Sequence, residues 1–183
     1  MHDIREKKWR TLLPATRIVP LVVMSCLPMH AIDAHSHSIT GPGEGRALQV
    51  LGSTITVKLA GEQTEGKYAV IEEASPVDGG PPLHVHHQED ELFYVQEGEV
   101  EFQLGEQRFR AKAGSVAFLP RNIAHTFHNV GTTPSKVLVV ISPARFVGFF
   151  EEIHALGQPT PDQFKELEKK YDVIHFLSSS TKE

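Results

Sequence analysis

The sequence predicts an all-β fold, an antiparallel sandwich or small barrel, followed by two helices near its carboxyl end. Ten short runs of alternating apolar and polar residues lie between residues 46 and 142, with glycine, proline or asparagine between them. Short strands with frequent turns are typical of antiparallel all-β domains. The 183 residues, of which 40% are hydrophobic and 22% charged, suffice for one domain with a buried core.

The amino-terminal segment, residues 1–34, is predicted to be a signal peptide. Residues 1–17 contain five basic and two acidic residues, and an apolar run over residues 18–31 follows them. The small residues of "AIDA" then place a cleavage site after Ala34, as in exported proteins. The mature protein would be periplasmic or secreted. The alternative is an uncleaved arm on a cytoplasmic protein, and the lone Cys26 forms no internal disulfide in either case.

The barrel is predicted to extend over residues 46–145, after a linker formed by residues 35–45. The linker is rich in glycine and serine, and we expect its His35 and His37 to be solvated. Inside the barrel the stretch "LGEQ" predicts a hairpin with a two-residue loop. Gly105 can supply the positive φ that a type II′ turn requires at its first central position.

The carboxyl-terminal extension, residues 146–183, changes to the apolar spacing of helices, and Gly157 suits the end of the first helix. Thr160 is the expected cap of the second helix and Pro161 its first residue. We expect both helices to pack outside the barrel, and "DVIHFL" to form a last short strand or an extended tail. The apolar stripes are Phe146, Phe149, Phe150, Ile153 and Leu156 in the first helix, and Phe164, Leu167 and Tyr171 in the second.

Four side chains that can bind a metal ion lie in phase on predicted strands. His84 and His86 share one face of a strand, where their Cα atoms are about 6.5 Å apart. Glu91 begins the next strand, and His125 lies on a later one. Three imidazoles and one carboxylate suit Mn, Fe, Co, Ni, Cu or Zn, and four protein ligands leave positions open for water, dioxygen or substrate.

These residues resemble the two metal-binding motifs of the cupin superfamily. The family usually has glycine where this chain has Asn122, but asparagine tolerates left-handed backbone geometry. The chain looks most like single-domain bacterial cupins similar to quercetin dioxygenases, a likeness that extends to the carboxyl-terminal tail. The first motif corresponds to Gly79 or Gly80, His84, His86, Glu91 and Gly98, and the second to Gly114, Pro120, Asn122, His125 and Asn129.

The resemblance implies a cupin barrel, also called a double-stranded β-helix or jelly roll, with one divalent transition metal ion held by His84, His86, Glu91 and His125. It implies a dioxygenase that acts with O2 on a small enolic or phenolic molecule such as quercetin. Glu91 would ligate the metal and accept the proton of the substrate. Two alternatives stay open: another metal-dependent reaction such as isomerisation or decarboxylation, and a non-catalytic module that binds a small ligand. A homodimer is expected from the resemblance alone.

An apolar pocket is predicted beside the metal, although its residues could equally be the packing of a small barrel. We expect six further histidine and acidic residues to lie at the surface without a role: His87, Glu89, Asp90, His128, His154 and His175. The candidate pocket residues are Phe93, Val95, Phe102, Phe118 and Phe127.

Composition excludes two other classes of partner. The formal net charge of -5 and the lack of a basic run beyond the first residues argue against nucleic-acid binding. No stretch reaches the roughly 18–20 consecutive apolar residues of a membrane-spanning helix. The resemblance to cupins implies a small molecule as the partner.

Overall fold

The strand pattern of the sequence is present in the computed structural model, which describes residues 39–176. All ten predicted strands form within these residues, and "DVIHFL" contributes an eleventh. The predicted signal peptide, His35 and His37 lie outside the described residues. The strands are β1 Arg46–Val50, β2 Ser53–Leu59, β3 Ala69–Ser75, β4 His84–His86, β5 Asp90–Glu97, β6 Glu99–Leu104, β7 Gln107–Lys112, β8 Val116–Leu119, β9 His125–Asn129, β10 Ser135–Ser142 and β11 Val173–His175, and the helices are α1 Val147–Leu156 and α2 Pro161–Tyr171.

The strands form two antiparallel sheets in which several neighbouring strands are far apart in the sequence. The first sheet has the order β1-β2-β3-β10-β5-β8, and the second has the order β11-β4-β9-β6-β7. Strand β10 lies between β3 and β5, so the chain crosses between sheets instead of forming a simple meander. The predicted cupin architecture, an antiparallel jelly roll with two helices after it, is confirmed.

The core follows from the alternation of side chains along each strand. In β10 the side chains of Val137, Val139 and Ile141 are buried, whereas Leu138 and Val140 between them are only half-buried. Side chains at every second position of a strand point to the same face. The first sheet therefore presents a continuous apolar face to the interior.

Both helices add apolar side chains to this core. Helix α2 begins as predicted: the Thr160 hydroxyl accepts a hydrogen bond from the backbone N–H of Gln163, and Pro161 is the first helical residue. Its stripe of Phe164, Leu167 and Tyr171 is buried. Helix α1 buries Val147, Phe149 and Ile153. The carboxyl-terminal extension is therefore part of the hydrophobic core.

Two turns have the predicted backbone geometry. Gly105 has φ of 58° between β6 and β7, and Asn122 has φ of 66°, in the left-handed region. Gly80 also has a positive φ, and a Cβ atom there would collide with the carbonyl oxygen of Phe127. This close approach requires glycine at position 80.

No helix within residues 39–176 is both long and apolar enough to cross a membrane.

Candidate metal centre

Three strands bring the four predicted ligands together. His84 and His86 lie on β4, Glu91 on β5 and His125 on β9, where His84 is directly opposite His125. All four are buried, and their ligand atoms lie within 4.8 Å of one another. Glu91 Oε1 is 3.7 Å from His86 Nε2, and Glu91 Oε2 is 3.4 Å from His125 Nε2. The four side chains could hold one metal ion.

The backbone fixes the orientation of two of the imidazoles. His84 Nδ1 lies 2.8 Å from the carbonyl oxygen of Pro82, and His125 Nδ1 lies 2.8 Å from that of Ile123. A carbonyl oxygen accepts a hydrogen bond only from a protonated nitrogen. In both residues Nδ1 therefore carries a proton and donates the hydrogen bond, which leaves Nε2 as the nitrogen that can bind a metal ion. Hydrogen bonds of this kind to the far nitrogen are typical of histidines that bind metals.

Burial keeps the imidazoles of His84 and His86 neutral. Burial lowers the pKa of His84 to about 3, with a further contribution from the neighbouring His125. Burial also holds the pKa of His86 well below its usual range. Among the described residues, both nitrogens of His86 and Nε2 of His125 have no hydrogen-bond partner. Buried imidazole nitrogens without a hydrogen-bond partner fit a metal ion, which would take the place of that partner.

Glu89 was expected to be a solvated acid, and that prediction is wrong. Its side chain is fully buried, and its Oε2 lies 3.8 Å from Nδ1 of His86. Burial raises the pKa of Glu89 to about 7, against the opposing effect of the positive charge on Arg145. Neither carboxylate oxygen has a hydrogen-bond partner among the described residues. The turn between β4 and β5 folds inward here, which the alternation within the strands could not indicate.

Asp90 is near the surface but is part of β5 rather than of the preceding turn. Its carboxylate accepts hydrogen bonds from the backbone N–H and the guanidinium group of Arg121, with distances of 2.8–3.1 Å. The hydrogen bonds from Arg121 lower the pKa of Asp90. This pair ties the start of β5 to the loop that leads to His125.

His175 was also expected at the surface, and it is instead a wall of the site. Only 5% of its side chain is exposed, and its ring stacks on that of His84. Its Nδ1 lies 3.1 Å from Glu168 Oε1, which also accepts a hydrogen bond from the His175 backbone N–H. The signal was present in the sequence, since His175 is in phase with the apolar Val173 on a two-residue alternation.

The remaining histidines behave largely as predicted. His128 is exposed on the outer face of β9, and His154 is exposed on α1, where its Nδ1 accepts a hydrogen bond from the backbone N–H of Gln49. His87 faces away from the cluster and lies 3.0 Å from Oδ1 of Asn122. None of the three lines the site.

A cavity lies beside the four candidate ligands and has a volume of about 50 Å³. Of the predicted pocket residues, Phe93 and Phe127 line it. Val95 and Phe102 are buried in the core without lining the cavity. Phe118 is 57% exposed and faces outward, so its assignment to the pocket is wrong. Leu119, the next residue on β8, lies opposite Glu91 in the sheet and lines the cavity instead.

The cavity residues that were not predicted from the sequence come from several elements, including β3 and the carboxyl-terminal extension. The ring of Phe146 lies edge-on to that of His86, with the centroids 4.1 Å apart. The alternation of β3 could have identified Glu73, because it is in phase with the apolar Ile71. The contributions from helix α1 depend on tertiary packing, which no local pattern encodes. The missed residues are Ile71, Glu73, Pro81, Leu119, Thr126, Val139, Phe146, Phe150 and His175.

The sequence profile of the Cupin domain family matches residues 71–141, the region that contains all four candidate ligands. The chain belongs to the cupin superfamily. An uncharacterized protein of Streptomyces coelicolor is 33% identical over 78 residues, which are 43% of this chain and 68% of that protein. An uncharacterized protein of Methanocaldococcus jannaschii is 30% identical over 77 residues, 42% of this chain and 62% of that protein. The match thus spans less than two thirds of the archaeal relative.

Solved structures show the same fold at low sequence identity. A predicted oxalate decarboxylase from Thermotoga maritima has a TM-score of 0.53 at 23% identity, covering 58% of this chain and 99% of that one. The polyketide cyclase RemF from Streptomyces resistomycificus has a TM-score of 0.52 at 21% identity, covering 58% and 80%. Likenesses this distant concern the fold alone, because one superfold hosts many reactions.

Proposed function

We propose that the protein is a metal-dependent dioxygenase that acts on a small enolic or phenolic compound. The observation that carries the proposal is the convergence of His84, His86, Glu91 and His125 within 4.8 Å beside a largely apolar cavity. Structural metal sites use all their coordination positions for the protein, whereas four ligands on a five- or six-coordinate ion leave a position for substrate. The donor set of three imidazoles and one carboxylate suits Mn, Fe, Co, Ni, Cu or Zn.

The bound ion would supply Lewis acidity that favours the deprotonated form of a substrate oxygen, and a site for redox chemistry with O2. Glu91 is the group that would take the proton of that oxygen. Its two carboxylate oxygens lie against the imidazoles of His86 and His125, so it is inside the cluster and within reach of a substrate there. Phe93 and Phe127 exclude water from the same space.

The cavity favours the smallest members of the substrate class. A volume of about 50 Å³ accommodates only a few water molecules, and the side chains that close it include Phe146 and Phe150. A flavonol would require these aromatic side chains to move. We therefore place an enediol, a β-diketone or a single hydroxylated ring before quercetin. No Lys or Arg lines the described cavity, which disfavours phosphorylated substrates.

The decisive experiment is oxygen uptake by the protein loaded in turn with Mn, Fe, Co and Ni, over a panel of enediols, β-diketones, catechols and flavonols. We expect consumption of O2 with at least one metal, and its loss in Glu91→Gln. Conversion of a substrate without O2 uptake would replace the proposal by a Lewis-acid reaction such as isomerisation or decarboxylation. Binding without conversion would identify a non-catalytic ligand-binding protein.

We further propose that the protein is a homodimer joined through the outer face of β5 and β8. Leu92 lies opposite Phe118 and Tyr94 opposite Val116, and these four side chains are 41–63% exposed. Strand β8 is also an edge of its sheet. A contiguous exposed apolar patch at a sheet edge is typical of an interaction surface, and a second copy presents the same patch.

Sedimentation of the wild-type protein should give a dimer, and Phe118→Glu should give a monomer. Phe109→Glu is the matched control, because Phe109 is 50% exposed but lies on β7 of the other sheet. A wild-type monomer at micromolar concentration would refute the interface.

We also propose that the protein is exported and cleaved after Ala34, on the basis of the charge and apolar pattern of residues 1–34. The protein isolated from its natural source should then begin at His35, which sequencing of its amino terminus would detect. An intact Met1 would show that the segment is retained.

A further inference from the structure

The cavity contains a second carboxylic acid that the metal-ligand set does not use. Glu73 lies on β3, lines the cavity and is only 8% exposed. The hydroxyl groups of Ser53 and Ser75 hydrogen-bond to its carboxyl group, Ser75 at 3.3 Å. Among the described residues Glu73 forms no salt bridge. Burying a carboxyl group that has no cationic partner is costly, so the position calls for an explanation.

The register of the first sheet locates Glu73 relative to Glu91. Strand β10 pairs Val137 with Glu73 on one side, and Ile141 with Glu91 on the other side. The two acids therefore point to the same inner face but lie two inward-facing rows apart, about 13 Å along the strand direction. They mark two different ends of the inner face.

Apolar side chains fill the row between these two acids. Val139 pairs with Ile71 on one side and with Phe93 on the other, and all three line the cavity. A compound that reaches from the candidate metal ligands toward Glu73 crosses an apolar band and then meets a hydrogen-bonding group. Few, well-placed polar groups in an apolar pocket are what fixes the orientation of a small ligand.

We propose that Glu73 is a specificity residue, whose carboxyl group binds a hydroxyl or amino group at the end of the substrate remote from the metal ligands. The inference rests on the proposed function in taking an enolic compound as the ligand. Burial raises the pKa of Glu73 to about 7, so near neutral pH its carboxyl group is available both as donor and as acceptor. A substrate that ends in a methyl group would leave this buried group without a new partner.

The test compares two enolic pyranones that differ by one hydroxyl group, kojic acid and allomaltol. Dissociation constants are measured without O2 by titrating the Co-loaded protein and following the cobalt absorption, with metal content checked afterwards. We expect the wild-type protein to bind kojic acid about tenfold more tightly, the size of one hydrogen bond. Glu73→Leu should abolish this preference. Glu72→Gln should preserve it, because Glu72 is on the opposite face of β3.

A second variant covers the case in which Glu73→Leu does not fold. Glu73→Gln keeps the shape of the side chain and removes its charge, so at pH 8 it should bind kojic amine, the aminomethyl analogue, about tenfold more weakly than the wild-type protein. Equal binding of kojic acid and allomaltol by the wild-type protein, a preference that persists in Glu73→Leu, or no binding of either pyranone would overturn the proposal. If the preference for kojic acid depends on Glu73 but the separate uptake assay finds no consumption of O2, Glu73 remains a specificity residue and only the proposed dioxygenase activity is refuted.

Discussion

The imidazole ring of His175 stacks on that of His84, with the ring centroids 5.3 Å apart and the planes inclined by 26°. On its other side His175 stacks on Phe149, at 5.7 Å. A histidine from the last strand thus lies between a candidate metal ligand and the first helix. It joins the site to the carboxyl-terminal extension.

Replacing His175 tests whether this ring supports the site without binding the metal. We expect His175→Ala to lower the free energy of unfolding by about 1–3 kcal/mol, because it leaves Glu168 without its imidazole partner and opens the cavity wall. Metal content should remain near that of the wild-type protein. Urea denaturation and elemental analysis measure the two effects, and His175→Phe, which keeps the ring, should lose less stability. Loss of the metal in both variants would make His175 a ligand.

The four candidate ligands should be required for metal binding and dispensable for folding. We expect His84→Ala and His125→Ala to lose the ion while retaining the circular dichroism of the wild-type protein. Each replacement removes one of only four donors. His128→Ala is the matched control, since His128 is on the same strand as His125 but exposed. Wild-type protein that contains no metal and cannot be reconstituted would disprove the site.

The buried carboxyl group of Glu89 should strengthen metal binding through His86. Outer groups beside a ligating histidine typically contribute 10–100-fold to metal affinity, and we expect Glu89→Gln to weaken binding by about tenfold. Competition with a chromophoric chelator measures the change. Glu97→Gln is the control, because Glu97 is an exposed acid at the far end of β5, and this variant should bind the metal as the wild-type protein does. Unchanged affinity in Glu89→Gln would show that the 3.8 Å contact with His86 has no role.

Glu73 should make the metal-free protein less stable as the pH rises. Its pKa is raised from 4.5 to about 7 on folding, so the native state binds more protons than the unfolded state between these values. Stability from this group is full below pH 4.5 and is lost as the pH rises through 7, by at most about 3 kcal/mol. Relative to the wild-type protein, Glu73→Gln should gain that amount between pH 4.5 and 8 in urea denaturation. A constant difference between the two proteins would contradict the assignment.

The convergence of the four candidate ligands could be predicted from sequence because it depends on strand alternation and motif spacing. His84 and His86 share a face by strand alternation alone, and the family motifs supplied the partners Glu91 and His125. The surroundings depend on tertiary packing. Glu89 lies in a turn that folds inward, and Phe146 reaches His86 only because α1 packs on the sheet. The prediction that Phe118 lines the pocket was wrong for a simpler reason. The alternation of β8 places Leu119 inside and Phe118 outside.

The pairing of β11 with β4 has a consequence for genetics. Residues Val173, Ile174 and His175 pair with the strand that carries two of the four candidate ligands, and the backbone N–H of Phe176 donates to Leu83 at 2.7 Å. A stop codon after Tyr171 would leave every ligand codon and both helices intact. It would nevertheless remove β11, the strand that pairs with β4 along one side. We therefore expect late nonsense and frameshift alleles of this gene to behave like replacements of a candidate metal ligand. The truncated protein should still be expressed but should not retain a metal ion.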